Sequence, residues 1–338
     1  MTHPKLVETM LQPSFYPHVP GHVEFIQTHI SYIFIAGDLV YKVKKAVDFG
    51  FLDFTTLGKR KYYCDEEVRL NQRFAHGVYL DVVRIMEDSK GNLHLKNGSN
   101  IVEYAVEMKK IPEHRMLYRL LDEHKVSHAD MRRIGRYLAD VYGTIPASDK
   151  SREFGSLDVI ATNVIENFDQ TRKYIGGPVS HEKFAAIETW SREFMQNNAV
   201  LFERRITEGQ IKDCHGDLHL QHICLDNDKI FIFDCIEFNE RFRFGDVASD
   251  VAFLSMDFDY NGKSALGNSF VEAYITESGD ATMRDVLIFY KVYRAYVRAK
   301  VTSFLLDDEA LDDTARHDAF QKAARYYDLA YGYIFHEN

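Results

Sequence analysis

The stretch that most constrains this chain runs from Asp213 to Phe238 and reads DCHGDLHLQHICLDNDKIFIFDCIEF. A polar loop dense in His and Asp leads into an apolar run, Ile223 to Leu225. Asp226, Asn227 and Asp228 make a turn, and a β-branched and aromatic run from Lys229 to Phe233 ends on Asp234. Two short apolar runs split by Asn and Asp predict a β-hairpin. Such a hairpin sets Asp217 before its first strand and Asp234 after its second, at the same end. Two carboxylates with a His nearby are suited to holding a divalent cation and to accepting a proton from an attacking hydroxyl.

The run His215-Gly216-Asp217-Leu218-His219 resembles the HGDxHxxN catalytic loop of the aminoglycoside phosphotransferase family, kinase-like enzymes, here of an uncharacterised bacterial subgroup. Asp234 falls where that family keeps a second, metal-binding acid. The resemblance implies that Asp217 orients and deprotonates an acceptor hydroxyl, and that Asp234 binds the Mg2+ bridging the ATP phosphates. Five residues after Asp217 the family pattern has Asn, and here that place is His222. His222 is therefore the candidate for the second metal position, with Mn2+ as the alternative cation because imidazole suits transition metals.

The rest of the chain is read against that resemblance. Val23 to Lys45 predicts three short strands, the last two joined by a Gly37-Asp38 turn. On the third, alternation puts Val40 and Lys42 on one face. Val-x-Lys there resembles the family's adenine-contacting position and its lysine for the α and β phosphates; Lys44 shares the face and is the rival. The phosphate-cradling turn of the resemblance lies at Thr28 to Ser31, where Thr28 and Ser31 offer hydroxyls in place of a Gly-rich loop. Glu67, with Leu70 and Phe74 at helical spacing, resembles the helical Glu that pairs with the strand lysine, and Glu66 is the alternative. Glu107, Met108 and Lys109 stand where a hinge presents backbone groups to adenine, and Pro112 closes that strand.

These readings predict an α+β, bilobal protein-kinase-like fold. Its N-lobe, residues 1–110, would be a small antiparallel sheet with a helix, and its C-lobe, residues 111–338, mostly helical. Ser127 with Asp130 predicts a helix start. One helix is expected from about His181 to Glu208 and two long ones near Thr282–Leu306 and Ala310–Phe335. Asp246, opening a further helix, reads as support for the catalytic loop, with Asp250 one turn later the less clear case. Lys291, Arg294 and Arg298, interleaved with tyrosines, read as an exposed basic face or else as the wall of an acceptor pocket.

Composition excludes some functions. With 46% hydrophobic and 27% charged residues the chain sits in the ordinary globular class. No apolar run approaches a membrane span, and the first residues lack the pattern of a signal peptide. Four cysteines without paired spacing point to a reducing, cytoplasmic setting, with Cys214, Cys224 and Cys235 read as small buried hydrophobes. Net charge is −10, unevenly placed: residues 1–110 carry a net of +1 and the remainder −11. That argues against a nucleic-acid binder, fits a solvated acidic surface, and also suits a cationic acceptor such as an amino sugar.

The leading expectation is an ATP-dependent phosphotransferase that moves the γ-phosphate to a hydroxyl of a small molecule, a sugar or amino sugar among the candidates. Two alternatives stand beside it. A metallohydrolase would use His215, His219 and His222 with Asp217 to bind zinc. A nucleotide-binding pseudoenzyme would follow from His222 and the missing Gly-rich loop.

Overall fold

The computed structural model describes residues 4–335. Its contacts group the chain into two compact units. The first comprises the residues up to Glu123 together with Gln221–Glu240, and the second comprises His124–Leu220 and the residues from Arg241 onward. The hairpin read above thus belongs with the first unit, whereas the loop of Asp217 belongs with the second.

The first unit is built on a six-stranded antiparallel sheet. Its strands are β1 (Val23–Gln27), β2 (Ser31–Ala36), β3 (Leu39–Lys44), β4 (Tyr79–Glu87), β5 (Leu93–Leu95) and β6 (Asn100–Lys109), in the spatial order β1-β2-β3-β6-β4-β5. Ala36 pairs with Leu39, so Gly37 and Asp38 form the two-residue turn that the sequence signals, with Gly37 at φ 66° where a side chain would be strained. One sheet face packs on Tyr16, Phe34, Tyr41, Val43 and Ile85, all essentially inaccessible. Against the other face lies the Leu57–Asn71 helix, started by Thr56, whose hydroxyl accepts from the Lys59 amide.

The second hairpin forms as read. Strands β8 (Ile223–Asp226) and β9 (Lys229–Ile232) pair antiparallel, and Asn227 takes the left-handed conformation at φ 53° that Asn tolerates better than most residues. The Ile232 amide donates to the Phe74 carbonyl, which docks the hairpin beside the end of the helix.

The second unit is helical apart from β7 (Ile211–Asp213) and β10 (Phe244–Asp246), which pair with each other. Ser127 and Asp130 form the reciprocal cap expected of them, opening the His128–Thr144 helix. That helix packs on the Ser264–Ser278 helix at Gly135, where a β-carbon would stand 2.5 Å from the Phe270 carbonyl oxygen. The single helix expected from His181 to Glu208 is two, His181–Asn197 and Ala199–Thr207. They are separated at Asn198, whose ψ of 22° leaves the helical well and whose side-chain amide donates to the Phe194 carbonyl. Long helices Met283–Phe304 and Asp313–Tyr333 end the chain, within a few residues of expectation. Among the described residues no helix is long and apolar enough to cross a membrane. All four cysteines are buried, as small hydrophobes would be. The α+β organisation is the expected one.

Candidate active site

In the first unit, alternation along β3 brings Lys42 and Lys44 to the sheet face that meets the Leu57–Asn71 helix. Lys42 Nζ lies 2.8 Å from Glu67 Oε1 and 2.8 Å from Asp234 Oδ1. Lys44 Nζ lies 2.6 Å from Glu67 Oε2 and also donates to Glu237. Glu67 therefore bridges both lysines, one oxygen to each. Glu66 instead pairs with Arg69 three residues on, which separates the two candidates.

Burial opposes the charge on both lysines, but the carboxylates outweigh it and hold both ammonium groups above their ordinary pKa. Burial likewise disfavours ionised Glu67, yet Lys42 and Lys44 together pull its pKa down. At Glu237 burial wins and the carboxyl is shifted up, with Lys44 opposing and Glu67 reinforcing. Lys44 is thus no solvated strand end. It is 2% exposed and locked between two acids.

Asp234 follows the hairpin at φ 65°, an uncommon conformation for a residue with a side chain. Two side-chain contacts from the unit's own helix and sheet hold the backbone there. The Asp234 amide donates to Tyr79 Oη at 3.2 Å, and the Cys235 amide to Asn71 Oδ1 at 2.9 Å. Asn71 Nδ2 in turn donates to the Glu67 carbonyl. One helix therefore fixes Glu67 and the backbone after Asp234 together. The Asp234 side chain keeps 41% of its surface, and His222 Nε2 lies 3.6 Å from its Oδ2. A half-open carboxylate beside an imidazole is a hard oxygen with a nitrogen donor, a set that fits Mg2+ or Mn2+.

Other nucleotide-binding candidates fare differently. Thr28 uses its hydroxyl to close its own turn, accepting from the amides of Ile30 (3.3 Å) and Ser31 (2.9 Å), so a phosphate would compete with it for those amides. Ser31 pairs across the sheet with Lys44, and its buried hydroxyl has no hydrogen-bond partner. The Glu107 carboxylate is on the opposite face from Lys42, accepting from Tyr41 Oη at 3.0 Å and lying 3.2 Å from Lys96. The Lys109 amide donates to Val78 and the Lys110 amide to Asp38, so the sheet extends through the segment proposed as a hinge.

In the second unit, Asp217 sits on a loop that Asp250 clamps from below. The buried Asp250 carboxylate accepts from the His215 amide at 2.8 Å, the Gly216 amide at 3.2 Å and the Tyr142 hydroxyl. Arg294 closes the clamp, donating to the Gly216 carbonyl at 2.9 Å and pairing with Asp250 at 3.3 Å. Asp246, expected to hold the loop, has another structural task. It caps the Val247–Tyr260 helix through the Ala248 amide and makes a two-pronged buried pair with Arg205. The loop's support is Asp250, one helical turn further in.

His215 is wholly buried, and its Nδ1 accepts from the Asp217 amide at 3.3 Å. His219 is 3% exposed, its Nε2 3.5 Å from Asp217 Oδ2. With Nδ1 accepting the Asp217 amide, the proton of the neutral His215 ring sits on Nε2, so that ring offers no open lone pair to zinc. The Asp217 side chain itself keeps 36% of its surface. Nor do Lys291, Arg294 and Arg298 form an exposed basic face. Lys291 is buried against Asp259 at 2.9 Å, Arg294 serves the clamp, and Arg298 lies in the field of Tyr326 and Asp217.

Sequence reasoning missed Asn71, Tyr79, Glu237 and Tyr142. Two of them carried a signal, since Asn71 is one turn from Glu67 and Glu237 is an acid in an apolar run three residues after Asp234.

The phosphotransferase enzyme family profile (APH) matches residues 73–286. The chain belongs to that family. It is 30% identical over 298 residues to uncharacterized proteins of Mycobacterium tuberculosis and Mycobacterium bovis, covering 87% of this chain and 58% of each of theirs. It therefore spans well under two thirds of the length of these curated relatives. Among solved structures it is similar to choline kinase from Cryptosporidium parvum (TM-score 0.57, 9% identity, 98% of this chain and 94% of that one). It is also similar to the GDP complex of aminoglycoside 2'-phosphotransferase-IIIa (0.52, 12%, 96% and 99%). A third likeness is amicoumacin kinase in complex with AMP-PNP, Ca2+ and Ami (0.52, 12%, 96% and 92%). Likeness at such identity establishes the kinase-like α+β fold.

Lys42 and Lys44 differ in what their loss should do. Lys42→Met should raise the ATP requirement and slow transfer with a smaller loss of stability, because one of its two partners, Asp234, is open to solvent. Lys44→Met breaks a fully buried pair and should destabilise by about 3–5 kcal/mol. Urea melts alongside ATP titrations separate the two, and a stable, inactive Lys44→Met would reverse the assignment.

Proposed function

We propose that this chain is an ATP-dependent phosphotransferase transferring the γ-phosphate to a hydroxyl of a small molecule. The observation that carries the reading is Lys42 held between Glu67 and Asp234, together with the clamped loop of Asp217 and membership of a phosphotransferase family. In this reading the lobe of the sheet takes ATP, and the helical lobe supplies the base and the acceptor site. Lys42 neutralises the α and β phosphates, with Glu67 orienting its ammonium group. Asp217 aligns the acceptor hydroxyl and accepts its proton. Asp234, with His222, would hold the divalent cation, which when bound neutralises charge on the phosphate oxygens. Phosphoryl transfer of this kind relies on placement and charge neutralisation more than on covalent chemistry. Such use of ATP fits a cytoplasmic setting.

The test is a γ-phosphate-transfer screen over amino sugars, other sugars, nucleosides and a proteome extract. ATP binding with no transfer to any of them would favour the pseudoenzyme, and stoichiometric zinc with ATP-independent hydrolysis the metallohydrolase.

His222 gives a sharper readout. An imidazole ligand favours Mn2+ over Mg2+ relative to an amide oxygen. His222→Asn should retain transfer and move the metal preference toward Mg2+. Turnover measured across both metal titrations decides it, and identical profiles for the two proteins would remove His222 from the metal site.

A further inference from the structure

One polar cluster of the second unit is left without a task by this mechanism. Along the Leu157–Thr171 helix, Asn163, Glu166, Asn167 and Gln170 recur at helical spacing and share a face. Lys300, from the Met283–Phe304 helix, donates to Asn167 Oδ1 at 2.6 Å and to Gln170 Oε1 at 2.9 Å. Arg241 makes a two-pronged pair with Glu166, one bond at 2.9 Å.

Two atoms here are buried without a hydrogen-bond partner, Asn163 Oδ1 and Asn167 Nδ2. Tyr293 is the nearby hydroxyl to Asn167, but the amide forms no hydrogen bond of normal length with it. Asn167 is 5% exposed, so its amide nitrogen is not satisfied by bulk water. Native proteins seldom leave a buried donor and a buried acceptor unmet one turn apart, and a ligand is one thing that satisfies both. The cluster also reaches solvent, since the Glu166 and Arg241 side chains are 40% and 36% exposed.

Its charge is one carboxylate against two cations. Burial pushes the Lys300 ammonium down to about 8, which still leaves it mostly charged at neutral pH. The same helix that carries Tyr293 and Lys300 carries Arg294, which holds the residue before Asp217. A rigid element thus links the cluster to the loop of the proposed base.

We infer that this cluster binds the acceptor, and that the acceptor is a polyhydroxyl molecule carrying an anionic group. The inference rests on the phosphotransferase reading. Unmet amide groups recognise hydroxyls, each as donor or acceptor, and the surplus cation recognises the anion. The acidic surface of the chain acts differently. Its field is screened over about 8 Å at physiological salt, whereas Lys300 would act in direct contact.

D-glucuronate, D-glucose and D-glucosamine share a ring and differ in charge, so they test the inference on the full chain. Transfer efficiency should fall by about tenfold from glucuronate to glucose, as loss of a charge-assisted hydrogen bond implies, and further to glucosamine. Lys300→Gln should erase the preference for glucuronate over glucose through KM, with kcat nearly unchanged, and Lys300→Arg should restore it. Asn167→Asp, which adds a negative charge in the same shape, should shift the order toward glucosamine. Circular dichroism establishes that each variant folds. A parent enzyme that prefers glucosamine, or a preference for glucuronate that survives both Lys300→Gln and Asn167→Asp, overturns the inference. Transfer to other hydroxyls with no preference for the acid sinks the inference alone. Absence of transfer to every acceptor, with no ATP binding, sinks the phosphotransferase reading and the inference with it.

Discussion

Asp217→Asn should lower γ-phosphate transfer by about 10²–10⁴-fold, the usual contribution of a positioned general base, while ATP affinity stays close to the parent's. The substitution preserves shape, so the His219 ring 3.5 Å from Oδ2 and the amide bond to His215 Nδ1 can persist. What it removes is the capacity to take a proton and the charge that orients the acceptor hydroxyl. The residues assigned to ATP, Lys42, Glu67 and Asp234, keep their own side chains and their ion pairs. Asp234→Asn supplies the contrast, because it removes charge from the proposed cation site and should weaken metal-dependent ATP binding. Calorimetric ATP titrations with and without Mg2+, paired with single-turnover transfer, separate the two variants. Equal loss of binding and turnover in Asp217→Asn would falsify its role as base.

Why some of this was legible in the sequence and some was not follows from the range of the interactions. The hairpins at Gly37-Asp38 and Asn227-Asp228 are local, set by turn residues and alternation, and both appear in register. Glu67 could be proposed from helical spacing, but its preference over Glu66 is a matter of which helix face meets the sheet. The choice between Lys42 and its rival Lys44 was open in the sequence for a related reason. A lysine near a strand end is ordinarily solvated, and only the fold brings Glu67 and Glu237, 23 and 193 residues away in sequence, onto its ammonium group. The split of the helix at Asn198 turns on one side chain bonding back to the Phe194 carbonyl. Asp246 and Asp250 begin the same helix, and spacing cannot tell a cap from a clamp. Arg205 draws one and the loop amides draw the other, and both partners come from distant segments.

That clamp carries an expected effect on stability as large as the one at Lys44. Asp250 is wholly buried and receives the His215 and Gly216 amides, the Tyr142 hydroxyl and the Arg294 guanidinium. Burial, with Asp250 next, holds the Tyr142 phenol well above its ordinary pKa, so the hydroxyl stays a donor. Asp250→Ala removes the acceptor common to all four groups and leaves a cation buried without its carboxylate. The cost should be about 3–5 kcal/mol, the penalty typical of breaking a buried ion pair, and a urea melt would read it directly. Asp250→Asn distinguishes support from mere packing. Its amide oxygen can still accept a loop amide, so the protein should fold, but it offers one acceptor oxygen where the carboxylate offered two. The backbone before Asp217 should then loosen, with transfer falling and ATP affinity held. Hydrogen exchange at His215 and Gly216 should quicken in step with the loss of transfer. Unchanged exchange beside lost transfer would mean that Asp250 acts on the reaction by some route other than holding the loop.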